Sequence, residues 1–295
     1  MNLQELRYFA AVVEFRHFGR AAESCNVTQP TLSSQIRKLE DELGVTLLER
    51  TNKSVDVTAV GRQILEHARR ALAEAGQIES VARAARDPLV GALRLGMIPT
   101  LAPYLLPLMI APLRKAYPGL AIELWEDQTR LLMEGLRSHQ LDAALVASSM
   151  GSAEFTETSL FAEPLVAVLP PGHSLAQEAT VDESALAEDL LVMADGHCLV
   201  NHSLAACGAK AGLQSAMQAA TLETLVNLVA AGYGTTLIPA LAAPALTNRG
   251  VELRPLRQNS TRIIRLASRP GFPRPQALRA IEKVVRRAMP FDWRV

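Results

Sequence analysis

The chemistry this sequence could do centres on Asp195-Gly196-His197-Cys198-Leu199, followed nine positions after Cys198 by Cys207. Cys198 comes after an apolar stretch that reads as a strand, Leu190–Ala194, and after an Asp-Gly turn. If it opens a helix, the positive end of the helix dipole favours thiolate over thiol there. His197 is a neighbouring donor or cation. A thiolate that peroxide can reach oxidises to sulfenic acid, and a second thiol can resolve that acid to a disulfide. On one continuous helix, nine positions are about 13.5 Å along the axis and end on opposite faces. A disulfide needs Cα atoms within roughly 7 Å. If both cysteines stand on regular structure when reduced, the segment between them must unravel before they bond. Leu199, Val200, Leu204 and Ala205 would then change their packing.

Two other readings of these residues stay open. Cysteine is often a small buried hydrophobe, and Cys25, beside Ala21 and Ala22, is read that way. His197, Cys198, His202 and Cys207 could hold a metal ion, but their spacing matches no standard zinc pattern. Neither a metal nor a cofactor is expected.

A large fold has to position such a pair. The chain has 295 residues, 49% hydrophobic and 20% charged, with net charge zero. That length suggests two domains, and that composition a folded rather than a disordered chain. The longest apolar run, Leu101–Leu113, is interrupted by Pro103, Pro107 and Pro112. With no membrane span and no signal-peptide core, a cytoplasmic location is expected. From Leu89 onward, strands (Leu93–Ile98, Ala121–Glu126, Ala143–Ala147, Leu165–Leu169, Leu190–Ala194, Thr235–Ile238, Ile263–Ser268) alternate with helices (Leu105–Ala116, Leu131–His139, Leu222–Ala231, Pro275–Ala288). The pattern predicts an α/β domain with parallel strands. Eleven Lys or Arg follow from Arg254 against two acids, and they read as a solvated basic face.

The N-terminal part opens with short helices. Apolar residues at Leu3, Leu6, Phe9, Ala10 and Val13 have a helical period, and Gly19–Ser24 is a second helix. After the turn at Asn26-Val27, Thr28 is a good N-cap and Pro30 sits in the first turn. The third helix runs from about Gln29 to Leu43 and ends at Gly44. Val45–Leu48 and Ser54–Val57 read as a β wing with its tip at Arg50-Thr51-Asn52-Lys53. Two helices joined by such a turn form a helix-turn-helix, whose second helix enters the DNA major groove. Gln29, Pro30, Thr31, Ser33, Ser34 and Arg37 then face bases and phosphates, and Arg50 and Lys53 suit phosphates. The first sixty residues hold seven bases against eight acids, so binding depends on where the bases point, not on total charge. Thr58 caps a long helix to about Arg86. Its apolar positions Val60, Ile64, Ala68, Ala71, Ala75, Ile78, Ala82 and Ala85 alternate by three and four, a seam for a homodimer. Asp87-Pro88 ends it. The predicted division is therefore 1–58, helix-turn-helix; 59–87, linker and dimerisation helix; 88–295, regulatory domain.

Residues Met1–Leu65 carry Ala21-Ala22, Val27-Thr28-Gln29-Pro30-Thr31-Leu32-Ser33, Gln35-Ile36-Arg37-Lys38-Leu39-Glu40, Glu42-Leu43-Gly44 and Leu47-Leu48-Glu49-Arg50-Thr51. This dense set closely resembles the DNA-binding domain of LysR-type regulators. The resemblance implies a winged helix-turn-helix and a linker-helix dimer, commonly paired into a homotetramer. It also implies a C-terminal domain of periplasmic-binding-protein type, with two α/β subdomains and an effector site between them. The rest of the chain is similar to the peroxide-sensing, OxyR-type branch. Ile98-Pro99-Thr100, Pro103-Tyr104-Leu105-Leu106-Pro107, Asp195–Leu199, Cys207, Leu222-Glu223-Thr224-Leu225, Val229-Ala230-Ala231-Gly232 and Arg269-Pro270-Gly271 carry that similarity.

What the branch implies is a peroxidatic Cys198 and a resolving Cys207. Thr100, Thr129, His197 and Arg262 would line the peroxide pocket or stabilise the thiolate. The expected function is transcription regulation, not enzymatic turnover. The expected partners are double-stranded promoter DNA, hydrogen peroxide as signal, a second copy of the chain and, as a further candidate, RNA polymerase. The chain departs from the branch after Leu199, where Arg, Asp and Gln are usual and Val200, Asn201 and His202 stand here. That departure bears on sensitivity rather than on chemistry. The alternative is a regulator answering a small organic effector near Thr100, which does not need the cysteine pair.

Overall fold

A computed structural model describes residues 1–50, 55–84, 87–149, 153–208, 219–246 and 248–294. It divides into two units, Met1–Ala82 and Arg83–Val295.

In the first unit, α1 (Leu3–Phe15) starts with a capping box. The Asn2 side chain accepts from the Glu5 N–H at 3.0 Å, and the Glu5 carboxylate accepts from the Asn2 N–H at 2.8 Å. Next come α2 (Phe18–Ser24) and α3 (Gln29–Leu43). Thr28 Oγ1 accepts from the Thr31 N–H, Pro30 lies in the first turn, and Gly44 closes α3 at φ 68°. Leu32, Ile36 and Leu39 sit one helical turn apart and join Phe9, Val12, Ala21 and Ala22 in one core. Cys25 caps the end of α2 half-buried, not buried as expected.

β1 (Leu48–Arg50) pairs antiparallel with β2 (Val55–Val57). The first wing strand begins later than the predicted Val45. The Glu40 carboxylate accepts from the N–H groups of Leu47 and Leu48 at 2.8 and 3.1 Å, which ties this stretch to α3. Residues 51–54, including Lys53, lie outside the described residues, as do 85–86 at the end of the predicted linker. α4 (Ala59–Ala84) is capped by Thr58 Oγ1, which accepts from the Gly61 N–H at 2.9 Å. A side chain at Gly61 would overlap the Leu47 carbonyl. Leu65 and Ala68 pack into the core, whereas Ile78 further along is 72% exposed.

The second unit contains β3 (Gly91–Met97), α5 (Ala102–Ala116), β4 (Leu120–Glu126), α6 (Thr129–Arg137), β5 (Ala143–Val146) and β6 (Thr156–Leu169). After them come α7 (Cys198–Cys207), α8 (Leu222–Ala230), β7 (Thr236–Pro239), α9 (Ala243–Leu246), β8 (Glu252–Pro255), β9 (Thr261–Ser268) and α10 (Pro275–Ala288). The sheet order is β4-β3-β5-β9-β6-β7, with β8 also on β6. The all-parallel expectation fails. β3 is parallel to β4 and β5, while the pairs β5–β9, β6–β9, β6–β7 and β6–β8 are antiparallel.

The reason is β6, fourteen residues long where only its last stretch, Leu165–Leu169, was expected. Thr156–Pro164 pairs with β9, and Leu165–Leu169 pairs with β7 and β8. β6 thus runs through both halves of the domain, while β9 lies between β5 and the first part of β6. One core gathers Leu93, Leu95, Leu105, Leu145, Phe161 and Ile281; a second gathers Ala167, Leu186, Val226, Leu237 and Ile238.

The predicted strand Leu190–Ala194 makes only single bridges, Leu190 to Thr235 and Met193 to Ala219. A short apolar run satisfies burial without a ladder, and periodicity cannot separate the two. The basic C-terminal face is partly internal. Arg274 donates to the Pro88, Val90 and Ala92 carbonyls, and Arg269 to those of Leu136 and Leu141. These arginines serve as interior clamps on backbone carbonyls.

Candidate functional site

Cys198 and Cys207 are the first and last residues of α7. Both are buried free thiols, yet they belong to different cores. Cys198 packs with the core of β3, β5 and α10; Cys207 packs with that of β7 and α8. The helix between them holds their ends about 13.5 Å apart along its axis.

The start of α7 is set by the turn before it. Gly196 has φ 93°, and a side chain there would overlap Gln128. Gln128 Nε2 donates to the Asp195 carbonyl at 3.4 Å. The turn is thereby fastened to the start of α6, which begins at Thr129, two residues before the predicted Leu131. His197 occupies the N-cap position of α7 but makes no side-chain capping bond. Burial holds its imidazole below the ordinary 6.5, so at neutral pH it acts as an uncharged donor and acceptor rather than as a cation.

A cavity of about 470 Å³ opens here, lined by Thr129, Met133, Ser148, His197, Cys198 and Asn201, with Arg130 and Arg137 also on its wall. The Thr129 hydroxyl is buried and has no hydrogen-bond partner among the described residues. It is a donor and acceptor kept dry beside a thiol, where a small polar oxidant could bond. The cavity therefore joins three of the expected site residues: Thr129, His197 and Cys198.

Thr100 and Arg262 form a separate pair. Arg262 is fully buried and donates to Glu163 at 2.8–2.9 Å. It also donates to Thr100 Oγ1 at 2.8 Å and to the Thr100 carbonyl at 3.0 Å. Glu163 in turn accepts from the Leu241 N–H at 2.9 Å. This is a satisfied ionic network, as a buried charge requires. Neither residue lines the cavity. Sequence reasoning missed Glu163 and Gln128, and nothing local in the sequence marks either residue.

His202, one turn beyond Cys198, places Nδ1 2.7 Å from the Cys198 carbonyl. Burial, followed by the charges of Arg262 and Arg265, holds His202 below its ordinary value. At the other end of α7, burial pushes the Cys207 thiol up to about 11, with a smaller contribution from the Glu183 carboxylate. Glu183 is itself buried and accepts from the Gln258 N–H and the Ser260 hydroxyl.

In the first unit, Gln29, Pro30, Thr31, Ser34 and Arg37 are exposed along α3, and Ser33 is half-buried. Thr31 Oγ1 shares a 2.8 Å hydrogen bond with Thr28 Oγ1, and the Ser34 hydroxyl donates to the Thr31 carbonyl. Gln29 and Arg37 are the longest polar side chains of the set. Arg50 ends β1. Among the described residues, no group of His, Cys, Asp or Glu is arranged to hold a metal ion, and no helix is long and apolar enough to cross a membrane.

Residues 3–62 match the bacterial regulatory helix-turn-helix protein, lysR family, and residues 86–290 match the LysR substrate binding domain. The chain is 42% identical over 293 residues to the DNA-binding transcriptional dual regulator OxyR of Escherichia coli K12, covering 98% of this chain and 96% of the relative. It is 42% identical to a hydrogen peroxide-inducible genes activator of Haemophilus influenzae, covering 92% of each chain. Among solved structures, full-length OxyR from Pseudomonas aeruginosa with a cysteine-to-aspartate substitution superposes with TM-score 0.76 at 34% identity, over 97% of this chain and 95% of that one. A hydrogen peroxide-bound cysteine-to-serine mutant of Corynebacterium glutamicum OxyR gives TM-score 0.68 at 33% identity, over 97% and 92%. The architecture is thus a helix-turn-helix followed by a two-subdomain α/β regulatory domain, that of a DNA-binding regulator and not of an enzyme. The chain belongs to the LysR family of bacterial transcription regulators, in its OxyR branch.

Proposed function

We propose that this chain is a cytoplasmic transcription regulator that senses hydrogen peroxide through Cys198 and stores the signal as a Cys198–Cys207 disulfide. The observation that carries the proposal is the seating of the two thiols at opposite ends of α7 in different cores. They cannot bond while that helix is intact. Relatives named for hydrogen peroxide support the signal.

The Cys198 sulfur attacks one peroxide oxygen and the O–O bond breaks. The departing hydroxide takes up a proton and leaves as water, and Cys198 becomes a sulfenic acid. Thr129 and His197 are suited to hold the two oxygens. Thr100 and Arg262 would act from behind, by fixing the floor under α7. The Cys207 sulfur then attacks that of Cys198, and the S–O bond breaks. Hydroxide leaves with the Cys207 proton as a second water. Two thiols lose two electrons in all, and one peroxide becomes two waters. Packing around Leu199, Val200 and Leu204 changes as α7 opens, and that change is the signal.

The output is read by residues 1–58 on double-stranded promoter DNA. Gln29, Pro30, Thr31, Ser33, Ser34 and Arg37 would meet the major groove, and Arg50 and Lys53 are the residues assigned to phosphates. Residues 59–87 dimerise, which would cover the exposed Ile78, and residues 88–295 sense. Two dimers form a homotetramer that can contact RNA polymerase. The small-effector alternative gains no support at Thr100, whose hydroxyl and carbonyl are both engaged by Arg262.

The test treats reduced protein with stoichiometric peroxide, maps disulfides by mass spectrometry and footprints promoter DNA before and after. A Cys198–Cys207 bond with an altered footprint is expected, and both should be lost in Cys198→Ser. In Cys207→Ser, a sulfenate probe should still label Cys198. Wild type without the bond, or with footprints that peroxide leaves unchanged, would overturn the reading.

A further inference from the structure

We propose that His202 is a positioning residue for the switch: its Nδ1–H, bonded to the Cys198 carbonyl at 2.7 Å, secures the first turn of α7 as a neutral imidazole, and acid favours the opened, disulfide-bonded state. The inference rests on the reading of α7 as a helix that opens on oxidation.

A carbonyl only accepts, so the 2.7 Å contact puts a proton on Nδ1 and leaves Nε2 as the atom that titrates. The surroundings oppose a second proton. The ring is half-buried, and Arg262 and Arg265 of β9 bear on it. Their own carboxylate partners come from β6: Glu163 lies 2.8 Å from Arg262, and Glu157 lies 3.5 Å from Arg265. On α7 and its cap the neighbouring groups are Cys198, whose carbonyl bond favours the cation, and the neutral His197. Burial and the two arginines outweigh that bond, so the ring lies below its ordinary 6.5.

Opening α7 removes His202 from this setting and restores its ordinary basicity. The opened state then takes up a proton below about pH 6.5 that the packed state refuses. The packed helix is therefore at full strength above about 6.5 and weakens as pH falls. With glutathione disulfide as oxidant, the protein disulfide forms as the oxidant is reduced to two glutathione thiols. The His202 proton is additional to that exchange. Between pH 7.5 and 5.5 it favours the protein disulfide by up to about tenfold.

Full-length wild type and His202→Gln are equilibrated in glutathione buffers at pH 5.5, 6.5 and 7.5. The Cys198–Cys207 fraction is read by alkylation and mass spectrometry. Glutamine keeps a donor and cannot titrate, and the ratio of the two equilibrium constants cancels ordinary thiol chemistry. Wild type should gain severalfold over His202→Gln on acidification. Equal pH dependence in both proteins overturns the role of His202 and leaves the disulfide reading intact. No disulfide in either protein overturns the switch itself, and this inference with it. Should His202→Gln not fold, imidazole NMR of wild type decides. His202 should titrate at a lower pH in the reduced protein than in the oxidised one. An ordinary titration in the reduced protein overturns the proposal.

Discussion

α3 and α7 are helices of similar importance built on opposite plans. α3 is capped at both ends, by Thr28 and by Gly44 at φ 68°, and buries one continuous face in one core. α7 has Gly208 in the left-handed conformation at its end but no side-chain cap at its start. It carries Asn201, His202 and Ser203 in its middle, residues that compete with or weakly support a helix. Its two ends serve two different cores. A reading helix has to keep its shape when it meets DNA. A switching helix has to be stable enough to form and cheap enough to undo.

The largest effect expected concerns the buried ionic network of Arg262. The Glu163–Arg262–Thr100 network is buried and mutually bonded, and the proposed switch needs it to stay fixed while α7 opens. Arg262→Met leaves the Glu163 carboxylate buried and unpaired, which destabilises by about 3–5 kcal/mol. Urea denaturation of the regulatory domain measures this. The double variant Arg262→Met with Glu163→Leu should recover much of the loss, because neither charge is then stranded. A loss below about 1 kcal/mol in the single variant would mean that the network is not the fixed floor.

That network also marks the limit of what the sequence discloses. Leu32, Ile36 and Leu39, with Thr28 and Gly44, announce α3 through local spacing and cap chemistry alone. The Cys198–Cys207 spacing likewise announces a pair that one helix would keep apart. Arg262, by contrast, finds its partners 99 and 162 residues away. Gln128 meets Asp195 across 67 residues. Such pairings depend on tertiary placement, β9 lying against the first part of the long β6, and no local pattern reports a strand's partner. Pro164 and the polar start Thr156-Glu157-Thr158 hid the first half of β6, and with it the antiparallel part of the sheet. The family resemblance named Thr100 and Arg262 as site residues. It could not say that they bond to each other rather than line the cavity with Thr129 and His197.

A smaller and reciprocal effect should separate the two helix starts. Thr28→Ala removes a working cap and should cost about 1 kcal/mol in the helix-turn-helix unit. His197→Ser supplies the cap that α7 lacks and should stabilise its reduced form by about 0.5–1 kcal/mol. Disulfide formation after sulfenic acid has formed should then slow by about two- to fivefold, if α7 must open first. Stopped-flow oxidation with acid quench and mass spectrometry separates this step from the initial attack, in which the proposed mechanism also gives His197 a part. An unchanged second step would show that the first turn of α7 is not what opens.

A last effect, confined to alkaline pH, lies at the far end of the same helix. Burial, with Glu183 beside it, holds the Cys207 thiol protonated up to about 11, against an ordinary 9.0. An opened α7 releases that thiol to ionise near 9. Between those two values the opened state has lost a proton that the packed state still holds. The Cys207 contribution to the packed state is therefore complete below pH 9 and is lost as pH rises toward 11. The urea midpoint of reduced wild type should fall across that window by more than that of Cys207→Ala, with all other titrations common to both proteins. α3 carries no buried thiol, so its unit should give the same pH profile in both. A common profile for the regulatory domain as well would mean that Cys207 is already solvated when reduced, and that the second core does not hold it.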